Sequence, residues 1–298
     1  IEQTIQSVLS QKHNFKIEFV IGDDCSKDRT RDIIRKYDAL YPGIFVMLFP
    51  EKNQGSEINT VNCLDACKGK YIAFLEGDDY WTDPYKLQKQ VDFLEANPDF
   101  SLCFTRVNII DDIGLECPDP YQVMTKDEFT MEDIVMAERS FIPTPTLVFR
   151  NVLPNPSPKF LREAIPGDYV LHLLLADKGK IKCLPGKTAV YRQHAGGVTK
   201  SESFRENEYD IHYALLTDAD KYFEHRYTHL FKKRLLDVSK TILIFGSRNK
   251  KGFEKVKHTI KNFPKYIKSL ERINIKEILY YLAILYFPSV LKRRAKSK

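Results

Sequence analysis

The sequence predicts an α/β fold: a mostly parallel central sheet with helices on both faces, plus a helical carboxy-terminal extension. Three observations carry this. Short apolar runs alternate with helical stretches as far as Ile110, the pattern of β-α-β units. Two of the runs stop abruptly at acidic turns, Gly22-Asp23-Asp24 and Glu76-Gly77-Asp78-Asp79. In open α/β sheets, ligands bind outside such carboxyl ends of strands. A chain of 298 residues with 43% hydrophobic content suits one large α/β domain and an appendage, drawn here as residues 1–200 and 201–298.

The chain opens in a helical pattern (Ile1, Ile5, Val8, Leu9) with no strand before it, so a first strand is expected to be missing from this chain. Lys16 to Ile21 reads as a strand, Thr30 to Tyr41 as a helix, and Ile44 to Phe49 as a second strand. Ser56 to Cys67 is helical, with Gly69 at its end. Tyr71 to Leu75 is a strand, and Pro84 to Glu95 a helix with Pro in its first turn. Leu102 to Ile110 is again a strand. After a loop over Cys117 to Thr125 come a short helix (Met131 to Ala137) and a strand (Thr146 to Arg150). An irregular stretch marked by Pro154, Pro156 and Pro158 leads to a helix over Tyr169 to Asp177. Two short strands follow, Lys180 to Leu184 and Thr188 to Arg192. Beyond Ser203 the pattern is helical.

Charge is unevenly placed. From Arg205 onward, 22 Lys and Arg face 10 Asp and Glu, whereas the whole chain carries +6. The first two thirds are therefore acidic, which suits cation chemistry, and the last third is suited to an anionic surface. The six cysteines show no C-x-x-C spacing and no secretory leader precedes them, so reduced thiols in a cytoplasmic protein are expected. Cys63 and Cys67, one helical turn apart, read as core packing because no second ligand pair accompanies them. The stretch from Ile278 to Leu291 is uncharged, broken by Pro288, and followed by a basic tail. It is too short to span a bilayer. Two readings fit: a helix lying on an anionic inner membrane face, or a core helix with a solvated tail. No nucleic-acid partner is expected.

Four segments carry candidate chemistry. Asp23 and Asp24 precede a helix. Capping of free N–H groups explains Ser26 and Asp28, but not the Asp23-Asp24 pair. Glu76, Asp78 and Asp79 crowd three carboxylates at a strand end, and a hard divalent cation carrying a diphosphate is their natural neutraliser. Asp168 sits at a loop–helix junction, where an N-cap role also fits. Tyr191-Arg192-Gln193-His194 follows a strand. There Arg192 can pair with phosphate oxygens and His194 can ligate a metal.

In this order the segments resemble family 2 glycosyltransferases of the GT-A (Rossmann-like) fold over about residues 1–200. The resemblance rests on Ser7-Val8-Leu9-Ser10-Gln11, Asp23-Asp24-Cys25-Ser26-Lys27-Asp28-Arg29-Thr30, Asn53-Gln54-Gly55 and Lys68-Gly69-Lys70-Tyr71-Ile72. It also rests on the acid motif and on Tyr191-Arg192-Gln193-His194. The run from Gly77 to Pro84 with Lys86-Leu87-Gln88-Lys89-Gln90 is similar to a subgroup found in bacterial surface-polysaccharide loci.

The resemblance implies roles. Asp23, Asp24, Asn53 and Glu76 contact the nucleotide. Asp78 and His194 bind a divalent cation (Mn²⁺ or Mg²⁺), and Arg192 the diphosphate. Asp79 is a metal or acceptor contact, and Asp168 the general base. Two positions depart from the pattern: Glu76 stands for the usual first Asp, and Thr60-Val61 for Arg-Asn. The implied reaction moves a sugar, with inversion, from a nucleotide-diphosphate sugar to a hydroxyl of a glycan or lipid-linked acceptor. Two other functions share these residue types. One is a sugar-nucleotide pyrophosphorylase. The other is a non-catalytic module that holds nucleotide or glycan.

Overall fold

The computed structural model describes residues 1–119, 125–137, 140–164, 167–194 and 202–245. It divides into two compact units, Ile1–Gly197 and Val198–Lys298.

In the first unit, α1 (Glu2–Leu9) precedes β1 (Phe19–Gly22), α2 (Thr30–Leu40), β2 (Phe45–Leu48) and α3 (Ser56–Ala66). Strands β1 and β2 pair in parallel, Phe19 opposite Phe45 and Gly22 opposite Leu48. Helix α3 lies hard against the end of β1. A Cβ on Gly22 would come within 2.5 Å of both Asn59 Oδ1 and Cys63 Sγ, so any larger residue there would displace those side chains. The end of α3 differs from expectation. Its C-cap is Cys67 in an extended conformation, and Gly69 is not left-handed. Instead the Glu18 carboxylate accepts the N–H groups of Lys68 (2.5 Å) and Gly69 (2.9 Å).

The larger sheet has strand order β3-β7-β5-β8-β4, with β6 also pairing β8. These strands are β3 (Tyr71–Ala73), β4 (Tyr80–Trp81), β5 (Phe100–Ile110), β6 (Glu128–Phe129), β7 (Val148–Arg150) and β8 (Lys180–Arg192). Strands β5 and β8 form a long parallel ladder. Strand β7 runs antiparallel between β3 and β5, so β3, β5 and β8 all point the same way. The α/β class and the shared strand direction are as expected. The strand expected over Thr146 to Arg150 is found as β7, in antiparallel pairing, and the antiparallel β4 and β6 are additions. A parallel neighbour needs a crossover of a dozen or more residues, and β4 follows β3 too closely for one. The two strands expected over 180–192 are a single strand, β8, with register shifts in its pairing to β5.

Helix α4 (Lys86–Ala96) packs on the sheet through Leu87 and Leu94, which share a core with Val8, Trp81, Cys103, Val107 and Val148. It starts later than the Pro84 signal suggests. The Asp83 carboxylate accepts the Tyr85 N–H at 2.9 Å, and its carbonyl the Lys86 N–H at 3.1 Å. Helix α7 (Gly167–Ala176) buries every side chain from Val170 to Leu175 and packs on β5 and on α5 (Met131–Met136). Ser101 of β5 donates to the Leu175 carbonyl at 2.7 Å.

Lys86 is fully buried, its Nζ 4.4 Å from the Trp81 ring centroid and without a hydrogen-bond partner. Burial pushes its ammonium down to about 7 from 10.5, and the Trp81 face offsets part of the cost. Between those values the unfolded chain binds more protons than the folded one, so stability rises with pH across this window. The penalty is complete below about pH 7. Lys86→Met keeps the stem against Trp81 and is expected to stabilise the fold by about 1–4 kcal/mol near neutral pH. Melting temperatures at pH ~7 and ~10 check this, because the gain should shrink at the higher pH.

The second unit contains α8 (Glu202–Tyr222) and α9 (Thr228–Phe245), a helical hairpin. Its turn is fixed by Asp220, which bonds His225 Nδ1 (2.9 Å) and Thr228 Oγ1 (2.6 Å). Phe223 stacks on Phe231. Among the described residues no helix is long and apolar enough to cross a membrane. The expected membrane-surface segment over 278–291 and its basic tail lie outside the described residues.

Candidate active site

The acid turn is built where β3 leaves the sheet. The Phe74 N–H still reaches the Leu147 carbonyl (3.3 Å), and the chain then turns, with the Asp79 N–H donating to the Glu76 carbonyl (3.2 Å). Asp79 is buried. Its Oδ1 accepts the Arg192 backbone N–H at 2.8 Å, while its Oδ2 is buried with no donor facing it. Glu76 is open to solvent by surface area, although protein packs closely around its carboxyl. The surrounding protein and the charges of Asp79, Asp78 and Asp168 push its carboxyl well above the ordinary value. Burial and Asp78 likewise raise Asp79, against the Arg192 N–H.

The end of β8 supplies the positive partners. Arg192 Nη1 donates to the Asp78 carbonyl (3.0 Å) and Nη2 to Gln3 Oε1 (3.1 Å), with the guanidinium 5.7 Å from the Tyr80 ring centroid. Among the described residues Arg192 forms no ion pair with an acid side chain, so its charge is available to an anion. His194 Nε2 lies 2.8 Å from Asp78 Oδ2, both side chains being partly exposed. Asp168 stands in the first turn of α7, its Oδ1 accepting the Tyr169 N–H at 2.8 Å. Its charge acts on both Glu76 and Tyr191, so it lies within electrostatic reach of the acid turn.

Asp23, Asp24 and Asn53 form a second group at the end of β1. Asp23 is buried, and its carboxylate accepts Arg31 Nε at 2.5 Å and the Ser26 N–H at 3.2 Å. Burial pushes its carboxyl up, but these bonds outweigh it and hold the group below the ordinary value. Asp24 spends one oxygen on the Gln54 N–H and the other on the Gly55 N–H, each at 2.7 Å. Asn53 donates to the Asp24 carbonyl at 2.9 Å. Gly55 has φ +94°, a value that favours glycine, so the Asp24 latch and the glycine together shape this loop.

Several residues of the site escape a linear reading. Arg31, which pairs with Asp23, looks like an ordinary helix-surface charge. His172, four residues after Asp168, is fully buried with Nε2 unpartnered, and burial lowers its pKa. Thr4 carries no motif, although Thr4, Ser7 and Gln11 do recur at helical spacing as a polar stripe in an amphipathic helix.

The donor set fits a divalent cation. Asp78 and His194 already converge, and the unpartnered Asp79 oxygen and the raised carboxyls of Glu76 and Asp79 mark an excess of negative charge. Among the described residues no three His, Cys, Asp or Glu side chains converge to hold a metal ion alone. A site of one or two protein ligands completed by phosphate oxygens and water is the habit of Mg²⁺ bound with nucleotides.

A family model described as glycosyl transferase family 2 matches residues 1–150. The uncharacterized protein Rv1520 of Mycobacterium tuberculosis is 35% identical over 202 residues, 67% of this chain and 57% of that protein. The chain thus spans little more than half the length of this relative. WfaP of Escherichia coli, a UDP-Glc:alpha-D-GlcNAc-diphosphoundecaprenol beta-1,3-glucosyltransferase, is 38% identical over 101 residues, 34% of this chain and 38% of that one. Among solved structures, S. aureus TarS in complex with UDP superposes with a TM-score of 0.59 at 17% identity, covering 91% of this chain and 77% of the other. That likeness shows the fold.

Proposed function

The chain belongs to glycosyl transferase family 2, and from its site we propose that it moves a sugar, with inversion, from a nucleotide-diphosphate sugar to an acceptor hydroxyl. One observation carries the reading. Asp78 and His194 stand 116 residues apart in sequence yet meet at 2.8 Å, beside an Arg192 that, among the described residues, forms no ion pair with an acid side chain. This is a place for a cation and a diphosphate together.

Asp23, held by Arg31, and the Asp24–Asn53 loop would receive the base and ribose, and Glu76 the ribose side of the donor. Asp78 and His194 would hold the cation, whose charge stabilises the leaving diphosphate. Arg192 would bind the diphosphate oxygens. Asp168 would take the proton of the acceptor hydroxyl as its oxygen bonds to the anomeric carbon. The bond from that carbon to the diphosphate breaks, and its electron pair leaves with the diphosphate. Attack and departure on opposite faces invert the centre, and one carboxylate base suffices because no covalent sugar–enzyme intermediate forms. Asp79 braces the end of β8 through the Arg192 N–H. The name of WfaP supports a lipid-linked acceptor.

A panel of nucleotide sugars screened for thermal stabilisation tests the reading. A ligand that binds the native state raises its melting temperature by mass action. At least one nucleotide sugar should do so, and more strongly with Mn²⁺ than without. Stabilisation by none of them, or equal stabilisation with and without Mn²⁺, would contradict the proposal.

A further inference from the structure

Helix α1 presents a buried polar stripe, Thr4, Ser7 and Gln11, to the segment that follows β3. Such a stripe costs stability unless each group is bonded, and each is. Gln11 Nε2 donates to the Asp83 carbonyl (2.9 Å) and its Oε1 accepts the Leu87 N–H (3.1 Å). Ser7 Oγ accepts the Trp81 N–H (3.1 Å) and donates to the Thr4 carbonyl (2.8 Å). Thr4 Oγ1 faces two carbonyls at once, Gly77 at 2.9 Å and Asp79 at 2.8 Å.

Those two carbonyls belong to the residues on either side of Asp78. The single hydroxyl proton is thus shared by, or alternates between, the carbonyls on either side of Asp78, while the Asp78 side chain projects to His194. Asp79 is further fixed by its N–H to Glu76 and by its carboxylate to the Arg192 N–H. Gln3, on the same helix, holds Arg192 Nη2. We propose that Thr4 is a positioning residue for the cation site: its hydroxyl sets the backbone from which Asp78 reaches His194. This inference rests on the cation-site reading above. Groups that orient a metal ligand commonly change metal affinity by about 10–100-fold when lost.

The test compares Thr4→Val, which keeps the shape and removes the donor, with Thr4→Ser, which keeps the donor. Gln11→Ala serves as a control that weakens the same helix contact beyond the acid turn. Mn²⁺ affinity is measured by electron paramagnetic resonance with UDP and, separately, with GDP. Hydrogen exchange of the Arg192 amide is measured without ligand. Thr4→Val should weaken Mn²⁺ binding about 10-fold or more and speed Arg192 exchange. Thr4→Ser should restore both, and Gln11→Ala should lower the melting temperature but move neither. Wild-type Mn²⁺ affinity in Thr4→Val, or an equal loss in Gln11→Ala, would overturn the inference. If wild type binds Mn²⁺ with neither nucleotide, the functional reading fails. The exchange measurement then still decides on Thr4, and unchanged Arg192 exchange in Thr4→Val overturns its role.

Discussion

Asp168→Asn is expected to bind the donor normally and to turn over about two to four orders of magnitude more slowly. The substitution isolates basicity. Asparagine has the same shape, and its Oδ1 can still accept the Tyr169 N–H that Asp168 accepts at 2.8 Å, so this contact in the first turn of α7 is kept. What disappears is the negative charge that acts on Glu76 and Tyr191. Donor contacts assigned to Asp78, His194 and Arg192 are left untouched, so thermal stabilisation by the nucleotide sugar should persist. Acceptor deprotonation has no substitute of equal placement: His172 is close in sequence but buried. Nucleoside diphosphate release under saturating donor measures the loss, and near-normal release in the mutant would remove Asp168 from the role of base.

Asp78→Asn should have an effect as large, but on binding. The amide can still bond His194, so the 2.8 Å contact between β8 and the acid turn need not break. It carries no charge, however, and a cation with few protein ligands depends on each of them. Mn²⁺-dependent nucleotide affinity should fall by about 100-fold or more. The unliganded protein should melt at the same temperature or higher, since one of the four mutually repelling carboxylates is gone. A mutant with wild-type Mn²⁺ dependence, or one that unfolds, would contradict this account of Asp78.

The two predictions draw on parts of the molecule that differ in how far the sequence exposes them. The run Tyr71 to Leu75 ending at Glu76, Asp78 and Asp79 marks its strand and its site at once, because apolar periodicity and an abrupt charge cluster are both local signals. The helix containing Asp168 is legible for the same reason. Strand β7 is legible as the run Thr146 to Arg150, but its antiparallel place between β3 and β5 is not, and β4 is not legible at all: pairing depends on which distant strand is met, and two residues carry too little pattern to say. Gly69 suggests a glycine cap for α3, but the end of that helix is set by Glu18, 50 residues away. Asp24 reads as a free ligand, yet its oxygens already hold the backbone of the Gly55 loop. The upward shift of the Glu76 and Asp79 carboxyls arises from burial and proximity after folding, which spacing alone does not reveal. The meeting of Asp78 with His194 follows from the resemblance to a family, not from any periodicity.

The central claim is that the acid turn, Arg192 and His194 act on a nucleotide-diphosphate sugar at its anomeric carbon. The most direct test incubates wild type and Asp78→Asn with the stabilising nucleotide sugar and an acceptor, with and without Mn²⁺, and identifies the products. The account predicts nucleoside diphosphate, released by wild type only with Mn²⁺ and not by Asp78→Asn. Formation of sugar 1-phosphate and nucleoside triphosphate when pyrophosphate is supplied, or recovery of the donor intact under every condition, would contradict it.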